Sequence, residues 1–122
     1  MLPSNFDDIE TINEAQVREL IDQVSDDGSL FARLHGIFFA EGPELVADFK
    51  RLLPGGDRSA IHEVVHKIKG SAAAMGAKRI HALAGRAVEV CREEGDLSEL
   101  SDYPDRIDAE YRRYDAASQR FL

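Results

Sequence analysis

Apolar residues recur every three or four positions along most of the chain, which is the spacing of one face of a helix. No segment shows the strict alternation of apolar and polar residues that predicts a half-buried strand. Turn-forming residues interrupt the apolar pattern at residues 25–28, 54–57, 76–77 and 93–96. The pattern therefore predicts helices that begin near Asn13, Ser29, Asp57, Ala77 and Pro104.

These amphipathic segments and their short connections predict an all-α fold. We expect an antiparallel up-down-up-down four-helix bundle with a short N-terminal extension or helix. Residues 1–12 are assigned to the extension and residues 13–122 to the bundle. Phe6 and Ile9 are the apolar residues that can anchor the extension.

The longest predicted helix contains a Gly-Pro pair at residues 42 and 43. Proline removes a backbone hydrogen bond inside a helix, so either a kink or a break is expected there. The apolar phase continues across the pair, because Ile37 and Phe38 lie on the same side as Leu45 and Phe49. We favour a kink, since a loop would usually reset this phase.

The charge of the chain is negative overall and unevenly distributed. The formal net charge is −8 over 122 residues, which disfavours a nucleic acid partner because phosphate contacts need a basic surface. Residues 58–88 nevertheless contain six basic residues and one acidic residue. We call this segment the basic island, and it suits a small anion or an acidic protein site.

The cysteine content and the hydropathy indicate in which cellular compartment to expect the protein. A single cysteine, Cys91, excludes an internal disulfide, and its place on an apolar stripe predicts a buried, inert thiol. The sequence has no run of membrane-spanning length, and its start lacks the basic and apolar regions of an export signal. We therefore expect a cytoplasmic protein without a membrane partner.

Residues 62–66 read His-Glu-Val-Val-His, the pattern in which two histidines bind zinc and the glutamate acts as a general base. A catalytic zinc needs a third protein ligand, and Lys69 and Ala72 stand where a metzincin has Gly and His. Lys67 and Lys69 also place positive charge beside the supposed cation. We therefore expect no metal site, and a zinc hydrolase is a remote alternative.

A second motif starts at His66, where residues 66–71 read His-Lys-Ile-Lys-Gly-Ser and a second glycine, Gly76, follows ten positions after the histidine. This pattern closely resembles the signature of histidine-containing phosphotransfer (HPt) domains of bacterial-type phosphorelays. The resemblance covers about residues 13–121 and includes the Glu-Gly-Pro interruption and the Gly-Asp turn that precedes the histidine helix. Ala84, where many members have Cys, and Gly85 in mid-helix are departures from the family pattern.

The resemblance implies that His66 receives a phosphoryl group from an aspartyl phosphate. An exposed imidazole has a neutral ring nitrogen that can attack in line. Lys69, one turn further along the helix, can stabilise the phosphoryl oxygens. Gly70 has no side chain and leaves room for the backbone of a partner.

Other residues of the motif have supporting parts in this interpretation. Lys67 points elsewhere and contributes only to the local positive electrostatic potential. Ser71 can form a hydrogen bond back to the helix backbone, and Gly76 permits a sharp turn. His62 either helps to shape the docking surface or is a partly exposed polar residue. The predicted binding residues around the site are His62, Lys67, Ser71, Ala73, Gly76, Arg79 and Arg86. His35 and His81 have no visible partners in the sequence.

The resemblance also implies the partners, which are the receiver domain of a response regulator and a hybrid sensor histidine kinase. Mg²⁺ is expected on the partner receiver domain and no cofactor on this chain, which lacks a Gly-rich loop for ATP. We expect a monomeric phosphoryl carrier and, from Met1 and a complete bundle, an independent protein. The alternative is a helical adaptor that docks on a receiver or kinase without accepting phosphate.

Overall fold

A computed structural model describes residues 6–24 and 29–122, and these residues form helices and turns without a strand. The five α-helices are α1 (Glu14–Val24), α2 (Ser29–Leu52), α3 (Arg58–Ala74), α4 (Lys78–Arg92) and α5 (Tyr103–Ser118). Three short 3₁₀-helices span Phe6–Asp8, Leu97–Leu100 and Gln119–Phe121. The predicted connection at residues 25–28 and the first five residues of the predicted extension lie outside the described residues.

The helix ends are determined by local sequence signals. The Asn13 carboxamide oxygen accepts a hydrogen bond from the backbone N–H of Gln16 at 3.1 Å, and Asp57 does the same for Ala60 at 3.1 Å. These bonds satisfy N–H groups that have no partner inside the first turn of a helix. Gly76 ends α3 in the left-handed region with a φ of 67°, which favours glycine. The predicted helix starts near Asn13 and Asp57 and the predicted turn at Gly76 are confirmed.

Helix α2 runs through Pro43 without a break, as the continuous apolar phase predicts. The buried side of α2 differs from the predicted stripe, because Phe31, His35 and Val46 are buried while Ile37 is 47% exposed. His35 and Gly42 occupy core positions on this side. A stripe that contains a histidine and a glycine is hard to recognise from hydrophobicity alone.

The four helices α2 to α5 enclose the core. Helix α2 contacts α3 and α5, α4 contacts the same two helices, and α1 packs against α2. The fully buried side chains at the centre of this arrangement include Phe31, Phe49, Ile61, Ile68, Leu83, Ile107 and Tyr114. Each of the four helices supplies at least one of them, and α3 is held in place by its packing against α2 and α4.

The C-terminal end of α3 is tied to two other helices. The Gln16 carboxamide of α1 donates to the carbonyl oxygen of Ala73 at 2.7 Å, and the backbone N–H of Asn13 donates to that of Gly76 at 2.8 Å. The Tyr114 hydroxyl of α5 donates to the carbonyl oxygen of Met75 at 2.6 Å. Carbonyl groups at a helix end otherwise lack partners, so these bonds position α3 firmly.

Within the described ranges, no helix combines the length and the apolar character that crossing a bilayer would require.

Candidate functional site

The site lies on the side of α3 that faces away from the core. Ile61, Val65, Ile68 and Ala72 are buried and recur at helical spacing. His66 lies on the opposite side of the helix and is exposed. The core thus fixes the rotation of α3, and that rotation presents the imidazole of His66 to solvent.

The ring of His66 stacks against the ring of His62, one turn earlier in α3. Their centroids are 5.9 Å apart and the ring planes differ by 25°. None of the described residues is hydrogen-bonded to a ring nitrogen of His66. The imidazole is therefore supported on one face while its nitrogens are open to an incoming group.

Gly70 and Ala73 continue the exposed side beyond His66. A Cβ atom placed on Gly70 would meet nothing within 4 Å. The packing of the chain itself therefore gives no reason for a glycine here. Since a glycine inside a helix costs about 0.5–1 kcal/mol relative to alanine, its presence points to a requirement outside the chain.

Lys67 and Lys69 have different surroundings. Lys67 is exposed and its ammonium lies 3.7 Å from the Glu63 carboxylate. Lys69 is half-buried, and no carboxylate of the described residues lies within ion-pair distance of it. Lys69, three residues after His66 on the same helix, thus has a positive charge without a carboxylate partner among the described residues.

The basic island is largely compensated in three dimensions. Most of its cations have an acidic or carbonyl partner among the described residues. These pairs are Arg58 with the carbonyl of Val90, Lys67 with Glu63, Lys78 with Glu10, Arg79 with Glu110, and Arg86 with Glu99. The local positive charge that the sequence suggests is therefore reduced to Lys69 and to Arg58, which pairs with a carbonyl and not with a carboxylate.

Arg79 anchors the N-terminal segment. Its side chain is 12% exposed and donates to the Glu110 carboxylate at 3.0 Å. It also donates to the carbonyl oxygens of Phe6 and Ile9 and lies 4.4 Å from the centroid of the Phe6 ring. Phe6 is buried and Ile9 half-buried, so both hold the extension as predicted. The geometry gives Arg79 a structural task away from His66.

Arg86 joins α4 to the Leu97–Leu100 3₁₀-helix. Its guanidinium donates two hydrogen bonds to the Glu99 carboxylate at 2.8 and 2.9 Å, and one to Glu89 at 3.2 Å. The bonds from Arg86 lower the pKa of the Glu99 carboxyl to about 2. The positive charge of Arg86 is thus compensated by carboxylates of the chain itself.

Ser71 and Gly76 support the backbone of the motif. The Ser71 hydroxyl donates to the carbonyl oxygen of Ile68 at 3.1 Å, which confirms the predicted backbone bond. The Tyr111 hydroxyl lies buried nearby without a partner at hydrogen-bonding geometry. Burial raises the pKa of Tyr111 to about 12, and the Ser71 hydroxyl opposes part of this rise. Gly76 makes the turn from α3 into α4.

A surface groove of about 620 Å³ lies beside the site, between the N-terminal segment, α1, α3 and α4. Its lining includes Ile9, Gln16, Ala73, Gly76, Lys78 and His81. Ala73 and Gly76, two of the predicted binding residues, therefore border a concave surface. The groove is open and of mixed polarity, as expected of a docking surface more than of a deep ligand pocket.

The described residues contain no cluster of three or more His, Cys, Asp or Glu side chains that could hold a metal ion. Within the H-E-x-x-H pattern, Glu63 faces Lys67. Among the described residues, His62 and His66 thus have no third partner of the kind that a catalytic zinc takes from the protein.

His81 and Gly85 of α4 are the residues near the site that the sequence did not identify. A Cβ placed on Gly85 would lie 3.8 Å from the Cε atom of Lys69. The Lys69 ammonium also lowers the pKa of His81, with burial as the larger cause. The only sequence signal was the glycine in the middle of a helix.

Comparison with known families gives one finding. The family model of the Hpt domain matches residues 33–117, which run from the second turn of α2 to the last turn of α5 and include all of α3. Comparisons with curated proteins and with solved structures give no match.

Proposed function

Because the chain belongs to the Hpt domain family, whose members carry phosphoryl groups in phosphorelays, we propose that His66 is its phosphoryl acceptor. The family match spans α2 to α5. We accordingly propose that these four helices form the antiparallel up-down-up-down bundle and that α1 is an addition to it.

The observation that carries the proposal is the open imidazole of His66 on a helix that the core holds in place. A neutral ring nitrogen has a lone pair that attacks phosphorus. The nitrogen–phosphorus bond forms while the bond from phosphorus to the aspartyl oxygen breaks, and the aspartate leaves as a carboxylate. The other ring nitrogen keeps its proton or loses it to water. Transfer to a second receiver domain reverses these bond changes.

Lys69 supplies the counter-charge in this proposal. A phosphoryl group on His66 carries nearly two negative charges, and a charge-assisted hydrogen bond from an ammonium is among the stronger ones. Lys69 has no carboxylate partner among the described residues, whereas Lys67 lies 3.7 Å from Glu63. Lys67 therefore serves as an internal comparison, with the same charge but a compensated environment.

Gly70 supplies clearance. The packing of the chain does not require a glycine here, since an added Cβ would meet nothing within 4 Å. A partner that brings an aspartyl phosphate to His66 must approach this side of α3 closely. We propose that the glycine serves that approach, and that His62, Ala73 and the adjoining groove complete the docking surface.

The proposed donor and acceptor are receiver domains, one of a hybrid sensor histidine kinase and one of a response regulator. Their acidic pockets, which bind Mg²⁺, would meet the positive charge of Lys69. The chain acts in this proposal as a monomeric cytoplasmic carrier, without a cofactor or kinase activity of its own.

The test is incubation of the purified protein with a receiver domain that carries ³²P-phosphoaspartate and Mg²⁺. A carrier takes up the label as phosphohistidine, which is lost in acid. An adaptor would bind the receiver without taking up label, and that result would refute the carrier function. Metal content measured on the same preparation tests the zinc alternative, for which about one equivalent of zinc would be needed.

A further inference from the structure

Lys69 lies against the surface of α4. It is half-buried, whereas the neighbouring Lys67 side chain is 61% exposed. Gly85 marks a point of contact, since a Cβ placed there would lie 3.8 Å from the Cε atom of Lys69. The end of the aliphatic stem of Lys69 therefore lies beside α4 at a position where that helix has no side chain.

His81 lies one turn before Gly85 on the same side of α4 and is half-buried. Burial lowers the pKa of His81, and the positive charge of Lys69 lowers it further. Lys78, Asp8 and Glu10 are the charged residues that line the groove with His81. The lowered pKa favours the neutral form of His81, and this form does not add a second positive charge near Lys69.

Gly85 therefore has a structural explanation. A glycine inside a helix is unfavourable, and here the Lys69 stem lies in the space into which a side chain longer than alanine would project. An alanine would stop at ordinary contact distance, but a longer side chain would extend into the stem.

We propose that Gly85 and His81 form a shelf on α4 that holds the stem of Lys69 and keeps its ammonium ready beside His66. The proposal rests on the proposed function of His66 and adds two positioning residues to it. A lysine loses much rotamer freedom when it is fixed on an anion. A stem that already rests on a shelf loses less of that freedom when the phosphoryl group arrives.

The functional test compares Gly85→Leu with Gly85→Ala. Leucine is a good helix former, so an effect on transfer cannot come from a weaker helix. We expect Gly85→Leu to slow phosphoryl transfer by about two- to tenfold, the range for ordering one long side chain, and Gly85→Ala to lose less. Gly36→Leu is the matched control, because Gly36 lies exposed in α2 with nothing within 4 Å of an added Cβ.

The decisive comparison repeats Gly85→Leu in a Lys69→Ala background. If the shelf acts through Lys69, the leucine has no further effect there. An equal loss with and without Lys69 would overturn the proposal, as would an unchanged rate in Gly85→Leu.

A second measurement does not depend on phosphoryl transfer. Titration of the His81 ring by NMR should show a higher pKa in Lys69→Ala than in the wild type. In the Gly85→Leu background, Lys69→Ala should change the His81 pKa by less. Lys67→Ala should leave the His81 pKa unchanged. A His81 pKa that is the same in the wild type and in Lys69→Ala would refute the shelf even if His66 accepts phosphate. A His81 pKa that rises in Lys69→Ala as predicted would support the shelf even if His66 does not accept phosphate.

Discussion

The ring of Tyr111 lies against the backbone of Gly42, so close that a Cβ atom at position 42 would stand 2.6 Å from Cε1 and 2.8 Å from Cζ. Gly42 is buried in the middle of α2, and Tyr111 is buried in α5. The absence of a side chain at Gly42 thus allows these two helices to pack closely. Tyr111 also contacts the ring of Phe38 at a centroid distance of 5.0 Å.

Gly42→Ala should destabilise the protein, although glycine to alanine usually strengthens a helix. The new methyl group overlaps a rigid ring in a packed core, and overpacking of this kind costs about 1–3 kcal/mol. Gly36→Ala in the same helix is the control, with nothing within 4 Å, and should stabilise by about 0.5–1 kcal/mol. Urea unfolding monitored by circular dichroism measures both. Equal shifts in the two variants would contradict the packing argument.

Gly70→Leu should separate stability from function. Nothing within 4 Å opposes a side chain at this position, so the free energy of unfolding should stay the same or rise by up to about 1 kcal/mol. Phosphoryl transfer should fall by roughly a hundredfold, because displacement of reacting groups by about 1 Å costs that much. Rapid-quench transfer kinetics with Gly36→Leu as the control measure the effect. Full transfer activity in Gly70→Leu would show that no partner needs this space.

Buried His35 should make stability depend on pH. Its Nε2 atom lies 2.9 Å from the Ser118 hydroxyl and 3.7 Å from the Asp115 carboxylate, between aromatic rings. Burial lowers the pKa of His35 and Asp115 partly opposes this change. The unfolded chain therefore binds a proton more readily than the folded one below about pH 6.5, so stability falls as the pH drops through that value.

Urea unfolding at pH 7.5 and pH 5.5 measures the dependence on His35. The carboxylates titrate mainly below this window, so the histidines dominate it. His81 also has a lowered pKa and contributes in the same direction, so the comparison is made in a His81→Gln background. In that background the pH dependence should shrink on further replacement of His35 by Gln. A pH dependence that is the same with and without His35 would contradict the assignment.

The helix boundaries were predictable from the sequence because their causes are local. Asn13 and Asp57 cap helices through residues only three positions away, and Gly76 turns through its own backbone. The continuity of α2 followed from its apolar phase. The up-down order of the bundle stays a prediction.

The buried side of α2 was harder to predict because two of its members are not hydrophobic. His35 is satisfied by Ser118, which lies 83 positions away, and Gly42 is explained only by Tyr111. Partners so distant in sequence leave no trace in a local pattern. The same holds for the basic island, where Arg79 finds Glu110 and Arg86 finds Glu99 through the fold.

The site was predictable to the extent that it belongs to one helix. His66 and Gly70 are exposed as the spacing of the apolar residues of α3 requires. The surroundings of Lys69 were not predictable, since Gly85 and His81 come from α4 and their register with α3 depends on packing. The roles of His66, Lys69 and Gly70 stay predictions that mutants must test.

The central claim is that His66, and no other residue, takes the phosphoryl group. The most direct measurement is uptake of acid-labile ³²P from a phosphorylated receiver domain by the wild type, His66→Gln and His62→Gln. His62 is the matched control, because it lies one turn away in the same helix with its ring stacked on His66. We predict label on the wild type and on His62→Gln, and none on a folded, helical His66→Gln. Acid-labile label on His66→Gln, or its loss in His62→Gln alone, would contradict the account.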